Sequence, residues 1–127
     1  MPDETDQSAS GRRFSVFIVE DEFLIAMDLA DLLENGHSVV GPTTSVEAAL
    51  RVLETERPKV ALLDVNLRGK LVTPVADRLR SLGIPFVVSS AYPSFDFRGS
   101  QLFMDAQHLG KPIDEKRLVE ALNRAVV

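Results

Sequence analysis

Two hydrophobic patterns alternate along the chain from residue 14 onward. Apolar runs of strand length lie at 14–19, 37–41, 59–65, 84–91 and 106–110. Segments with helical spacing of their apolar residues lie at 22–36, 45–56, 73–83 and 114–127. Such alternation of strand and helix predicts a doubly wound α/β fold, a parallel sheet with helices on both faces. Residues 92–105 fit neither pattern well, because Pro93 and Gly99 interrupt them.

The first helical segment carries its leucines in a regular pattern. Along one helical face it places Leu24, Ile25, Leu29, Leu32 and Leu33, and Gly36 follows as a plausible stop. These apolar residues could support the docking of a partner protein on the helix, but packing in the core explains most of them equally well.

Helix boundaries are marked by capping and breaking residues. Thr44 with Glu47 fits a capping box before the second helix. Pro74 is tolerated in the first turn of the third helix, and Gly83 follows that helix. Asp114 and Glu115 open the last helix.

Composition narrows the class of protein. A length of 127 residues with 45% hydrophobic residues suits one globular domain over 14–127, after a polar N-terminal segment, 1–13, that we expect to be a flexible tail. The absence of cysteine excludes disulfides, thiolate metal sites and cysteine nucleophiles. Neither a secretory signal nor a membrane span is visible. The net charge of −5, with no basic cluster beyond Arg12–Arg13, argues against nucleic-acid binding.

Polar residues gather where the predicted strands end. In a doubly wound sheet, ligands bind beyond the carboxyl ends of the strands. The residues found there are Glu20 and Asp21, Asp64, Ser89 and Ser90, and Lys111. Taken singly, each acid is more often a loop or cap residue, a serine pair is most often the neighbour of a turn, and Lys-Pro is uninformative. Their joint placement at one sheet edge favours a functional cluster.

The chemistry of such a cluster is restricted. Neighbouring carboxylates repel one another unless a cation lies among them, and Mg²⁺ suits a site of few carboxylates and a phosphate. An aspartate can act as a nucleophile toward a phosphoryl group, while a metal and a lysine neutralise its charge. Within "VEDE", Glu20 and Asp21 fit the metal site, and Glu22 fits the opening of the first helix, where its charge meets the helix dipole.

Four short motifs in order carry a family resemblance: "VEDE", "LLDVN", a serine that ends the fourth strand, and "KP". Over residues 14–126 the chain resembles the receiver domain of a two-component response regulator. The resemblance implies a flavodoxin-like sheet of five strands in the order 2-1-3-4-5.

The resemblance also implies a role for each matching residue. Asp64 matches the phosphoacceptor, and Glu20 and Asp21 match the acidic pair that holds Mg²⁺ or Mn²⁺ together with Asp64. Asn66 matches the residue whose backbone carbonyl is a further metal ligand. Ser90 matches the hydroxyl that moves toward the phosphoryl group, and Lys111 matches the lysine that pairs with that group. Ala91 leaves room beside the phosphoryl group. His108 matches the aromatic switch position, although a packed or half-exposed histidine explains it equally well.

The fourth strand is similar to one branch of single-domain receivers. That branch carries Pro-Phe, two residues and Thr-Gly-Tyr; here Pro85, Phe86 and Tyr92 are kept, and Ser90–Ala91 replaces Thr-Gly. The serine keeps the hydroxyl but loses the methyl group that helps to fix a threonine rotamer. Tyr92 is a candidate switch residue that could slow hydrolysis, or a core aromatic.

The function implied is a cytoplasmic single-domain receiver. It accepts a phosphoryl group on Asp64 from a histidine kinase or histidine phosphotransfer protein, and it signals through a protein partner or as a phosphate shuttle. It is no classical enzyme, although it catalyses its own phosphorylation and dephosphorylation. We expect a monomer or a weak phosphorylation-dependent dimer, with no membrane or nucleic-acid partner. The alternatives are a receiver-like interaction module that is never phosphorylated and, less well supported, an aspartyl-nucleophile hydrolase.

Overall fold

Five parallel strands form the central sheet of this computed structural model, which describes residues 13–67, 70–90 and 106–127. The strands are β1 (Ser15–Val19), β2 (Ser38–Thr43), β3 (Val60–Asp64), β6 (Phe86–Ser90) and β7 (Gln107–Gly110). Their order in the sheet is β2-β1-β3-β6-β7, and every neighbouring pair is parallel. When only the five strands of this sheet are numbered along the chain, this order reads 2-1-3-4-5, so the predicted order is confirmed.

Four helices flank the sheet: α1 (Phe23–Glu34), α2 (Val46–Val52), α3 (Thr73–Ser81) and α4 (Glu115–Ala125). Each lies within a segment predicted to be helical. The ambiguous segment 92–105 lies outside the described residues.

Alternate residues of each buried strand belong to two separate cores. Val16 and Ile18 of β1 pack with α1 and α4, whereas Phe17 and Val19 pack with α2 and α3. Side chains of a strand alternate between the two faces of a sheet. Helices therefore cover both faces, which explains the uninterrupted apolar runs of β1, β3 and β6.

Helix α1 corrects the face predicted from its leucines. Its fully buried residues are Ala26, Leu29, Ala30 and Leu33, whereas Leu24 is 76% exposed. The two alanines are buried positions that a pattern of leucines does not mark. Leu29 and Leu33 of the predicted face are buried, and Ile25 and Leu32 are partly buried against the same core, so the buried stripe lies only about a quarter of a turn from the predicted one.

The N-cap of α2 also differs from the prediction. Ser45, not Thr44, is the N-cap, and its hydroxyl accepts a hydrogen bond from the Ala48 backbone N–H at 3.1 Å. The predictions for the other helix ends are confirmed: Pro74 lies in the first turn of α3, Gly83 follows it at φ +75°, and the carboxylate of Asp114 accepts from the Arg117 N–H.

A two-stranded antiparallel ribbon was not predicted. It pairs β4 (Asn66–Leu67) with β5 (Lys70–Leu71), directly after β3. Two residues per strand are too few to give a hydrophobic period.

Strand β2, at one edge of the five-stranded sheet, contains an irregularity. Its register with β1 shifts between Phe17 and Val19, and Gly41 nearby has φ +88°. A Cβ at Gly41 would lie 3.0 Å from the Thr43 nitrogen and 3.2 Å from the Ile18 oxygen. Only glycine fits this combination of positive φ and close backbone approach.

Candidate functional site: a carboxylate–lysine cluster at the sheet edge

One face of the sheet carries the polar cluster at its carboxyl edge. Four core residues of the α1/α4 face, Ile18, Leu62, Val87 and Leu109, lie on four different strands. Two residues further along those strands come Glu20, Asp64, Ser89 and Lys111. Because side chains repeat every two residues along a strand, these four positions share the same face.

The backbone fixes the ends of this row. The Glu20 N–H donates to the Thr43 carbonyl at 3.0 Å, so β1 stays paired with β2 as far as Glu20. The Lys111 N–H donates to the Ser90 carbonyl at 3.0 Å, which extends the pairing of β7 with β6. The polar side chains are therefore held by the sheet itself.

The ammonium of Lys111 lies between two buried carboxylates. Its Nζ atom is 3.0 Å from Oε1 and 3.3 Å from Oε2 of Glu20, and 3.3 Å from Oδ2 of Asp64. Burial alone would lower the pKa of Lys111, but the hydrogen bond to Glu20 and the charges of both carboxylates outweigh it and raise that pKa. The lysine is therefore held in its charged form.

Glu20 is the most buried acid of the cluster, only 1% exposed. Burial, reinforced by the charge of Asp64, raises its pKa, and a hydrogen bond from the Glu22 N–H to Oε2 at 3.0 Å opposes that rise together with Lys111. Oε1 is buried without a hydrogen bond of good geometry, although the Lys111 ammonium is close. An oxygen in this condition is suited to a further cation.

The donor set is consistent with a hard divalent ion. No three acidic or histidine side chains of the described residues converge as a preformed metal cage. Mg²⁺ does not need one, because it keeps several waters and uses one or two carboxylates. Glu20 and Asp64 supply such carboxylates on adjacent strands, and the Asp21 N–H, 3.5 Å from Asp64 Oδ2, keeps Asp21 beside them. Asn66 follows two residues after Asp64, at the start of β4.

The remaining predicted residues divide by position. Ser90 is buried at the end of β6, beside the cluster. His108 is exposed on β7 opposite Val88, so the structure does not bring it into the cluster. Ala91 and Tyr92 lie outside the described residues.

Exposed apolar side chains lie beside the cluster on α1. Phe23 is 65%, Leu24 76% and Met27 39% exposed, within the first five residues of the helix. A separate cavity of about 220 Å³ lies between α1 and the segment that begins at Lys111, and its apolar lining is Ile25, Leu29, Leu32, Pro112 and Ile113. The first helix therefore presents an apolar surface next to the polar site.

A doubly wound sheet with two buried acids and a lysine at its carboxyl edge is the arrangement that the family resemblance implied. The family model of the response regulator receiver domain matches residues 16–123, and the chain belongs to that family. The match lies inside the domain predicted at 14–127, whose exact limits stay a prediction. Phosphorylation and Mg²⁺ binding are typical of this family, and the reading as an inert interaction module is not favoured.

Individual relatives agree with this membership. The chain is 33% identical over 125 residues to the transcriptional regulatory protein PdtaR of Mycobacterium tuberculosis, with 96% of this chain and 60% of PdtaR covered. It is 39% identical over 82 residues to the phyllosphere-induced regulator PhyR of Methylorubrum extorquens, with 61% of this chain and 31% of PhyR covered. The chain thus spans less than two thirds of these curated relatives.

One solved structure matches nearly end to end. The solution structure of SdrG from Sphingomonas melonis Fr1 is 40% identical in sequence and has a TM-score of 0.74. The match covers 89% of this chain and 96% of the SdrG chain. Within the described part of this chain, no helix is long and apolar enough to cross a membrane.

Proposed function

We propose that Asp64 accepts a phosphoryl group from a phosphohistidine of a histidine kinase or phosphotransfer protein. The observation that carries this proposal is the Lys111 ammonium held between the carboxylates of Glu20 and Asp64. A nucleophilic carboxylate next to a fixed cation is the arrangement that phosphoryl transfer requires, because charge accumulates on the transferring oxygens.

The step balances with one proton supplied by solvent water to the leaving nitrogen. A carboxylate oxygen of Asp64 attacks phosphorus, the P–N bond of the phosphohistidine breaks, and its electron pair remains on the imidazole nitrogen, which takes up a proton. The product is an acyl phosphate. Lys111 lies within reach of the new oxygens, since its Nζ is already 3.3 Å from Asp64 Oδ2.

A divalent cation would be held by Glu20, Asp21, Asp64 and the Asn66 carbonyl. When bound, Mg²⁺ supplies positive charge to the phosphoryl oxygens. Glu20 must then share its carboxylate with the ion, which weakens its hold on Lys111. The buried Oε1 of Glu20 is the oxygen that supports this assignment.

The signal leaves through the surface around the fourth strand. Ser90 is buried at the end of β6, one residue beyond the Ser89 that pairs with Asp64, so a phosphoryl group on Asp64 would lie near it. Its response shifts a two-state equilibrium and changes partner affinity, and Tyr92 stays the second predicted switch residue. Because His108 is exposed on neighbouring β7, we keep it as part of this switch surface.

The phosphoryl donor docks on α1. The exposed Phe23, Leu24 and Met27 lie at the helix end nearest Asp64, so a helical partner packed on them brings its histidine toward the cluster. Apolar anchors at helical spacing are the pattern of helix-in-groove recognition.

Beryllofluoride, a phosphoryl analogue, tests the proposal without a partner. Its binding to the unsubstituted chain should require Mg²⁺ and should be lost in Asp64→Asn. Asp77→Asn, at an exposed acid of α3, is the matched control and should bind as the unsubstituted chain does. Equal binding by Asp64→Asn, or none by the unsubstituted chain, would favour the module that is never phosphorylated.

A further inference from the structure

Ser89 is a buried hydroxyl in the polar row that the mechanism above does not use. It is 1% exposed and pairs in register with Asp64 on one side and Leu109 on the other. Since paired residues of neighbouring strands face the same side, its side chain shares the face of Glu20, Asp64 and Lys111.

The side chain of Lys111 crosses strand β6, on which Ser89 lies. Lys111 follows β7, whereas its partner Asp64 ends β3, and β6 lies between those two strands. Neighbouring strands are about 4.8 Å apart, so the lysine must span β6 to reach its carboxylate partners. On the face over which it passes, β6 presents Val87 and then Ser89. The hydroxyl is thus the polar group along this path.

The hydroxyl is poorly satisfied where it is. Among the described residues its hydrogen bond goes to the Leu63 carbonyl at 3.5 Å, at the upper limit for such a bond. A hydroxyl that donates one bond can still accept others. Burying a polar group with weak pairing is costly, and alanine would fill the same space without that cost. A functional use of the oxygen accounts for its presence.

An ammonium has three N–H donors, and in this arrangement three carboxylate oxygens of Glu20 and Asp64 lie within 3.3 Å of Nζ. We infer that Ser89 is a positioning residue for Lys111, whose ammonium donates to the Ser89 hydroxyl when a phosphoryl group on Asp64 draws it away from Glu20. Because the Ser89 hydroxyl is uncharged, it can hold the ammonium beside Asp64 without cancelling the positive charge of the ammonium. The inference rests on the proposed phosphorylation of Asp64.

The test compares Ser89→Ala with Ser89→Thr, which restores the hydroxyl. We expect Mg²⁺-dependent beryllofluoride binding to weaken about threefold to tenfold in Ser89→Ala, the worth of one hydrogen bond, and to recover in Ser89→Thr. Ser38→Ala, at an exposed strand serine, is the control and should bind as the unsubstituted chain does.

A second readout follows Lys111 directly. The NMR signal of its side-chain Cε–H group, assigned with Lys111→Arg, should move on beryllofluoride binding and should move differently in Ser89→Ala. Thermal unfolding shows whether the extra methyl group destabilises Ser89→Thr. If it does, the Lys111 NMR signal in Ser89→Ala is the deciding test of the inference. Unchanged affinity and an unchanged Lys111 signal in Ser89→Ala would overturn the inference while leaving phosphorylation intact. Absence of binding in the unsubstituted chain would overturn both.

Discussion

The two ends of the sheet bury titratable groups in opposite ways. At the carboxyl end, Glu20 and Asp64 share the Lys111 ammonium, so buried charge is matched by charge. At the amino end, His37 is 7% exposed and its ring lies 4.3 Å from the Phe14 ring, in an apolar contact. Its Nδ1 atom has no hydrogen-bond partner among the described residues.

Burial is the largest influence on the pKa at both ends, and it acts with opposite sign. It raises the pKa of Glu20, an acid, and lowers that of His37, a base whose charge the nearby Arg13 opposes further. A raised carboxyl pKa gives stability that is lost as pH rises, whereas a lowered histidine pKa gives stability that is lost as pH falls. Burial thus disfavours charge at both ends, and within the part of the chain that the structure describes only the carboxyl end has a partner of opposite charge, Lys111, that opposes this effect.

The largest effect should come from removing the shared cation. Lys111→Met leaves two buried carboxylates facing each other, and we expect the free energy of unfolding at pH 7 to fall by about 3 kcal/mol. The loss should shrink as pH falls toward the carboxyl range, since Glu20 then takes up a proton. Denaturant unfolding between pH 4.5 and 7 measures it. Lys116→Met, at an exposed lysine of α4, should change little; a loss independent of pH would contradict the charge-sharing explanation.

A smaller, pH-dependent effect is expected from His37. Its folded pKa lies below the unfolded value, so its contribution is fully present above about pH 6.5 and declines as pH falls toward the folded pKa. His37→Phe, which keeps a ring beside Phe14, should remove this decline in unfolding measurements between pH 7.5 and 5. The chain has two histidines, and His108→Asn changes the exposed one and should keep the decline. Identical pH profiles for His37→Phe and the unsubstituted chain would refute the assignment.

The smallest effect on stability, within about 0.5 kcal/mol, is expected from Leu24→Asp, because this side chain is exposed on α1. Phosphoryl transfer from a phosphorylated histidine kinase or phosphotransfer protein should nevertheless slow at least tenfold. Beryllofluoride binding should stay unchanged, which separates docking from chemistry. Glu34→Lys, at the far end of α1, controls for surface charge. Equal transfer rates for Leu24→Asp and the unsubstituted chain would remove α1 from the docking site.

Much of the fold followed from periodicity because β1, β3 and β6 are buried on both faces and read as continuous apolar runs. The convergence of Asp64 with Lys111 followed from topology, since all strand ends of a parallel sheet lie at one edge. The buried face of α1 followed only in part: Leu29 and Leu33 are buried as predicted, but Leu24 is exposed although it resembles a core residue in sequence. The burial of the alanines did not follow, because alanines carry little pattern.

The pairing of Glu20 with Lys111 was also not foreseen. The two residues lie 91 positions apart, and the contact depends on a lysine side chain that crosses β6. Ser89 was noticed only as half of a serine pair. Because side chains alternate between the two faces of a strand, Ser89 lies on the same face as Val87, two residues before it. Once the strand order was known, this would have placed Ser89 on the face that the Lys111 side chain crosses.

Strand β2 gives the molecule a protected border. Edge strands offer unpaired backbone groups to other chains, and bulges and proline are common means of preventing such pairing. Here the bend at Gly41 and the missing N–H of Pro42 interrupt the row of donors in the middle of the strand. A second chain that approached this border would find no continuous ladder to extend past Gly41 and Pro42.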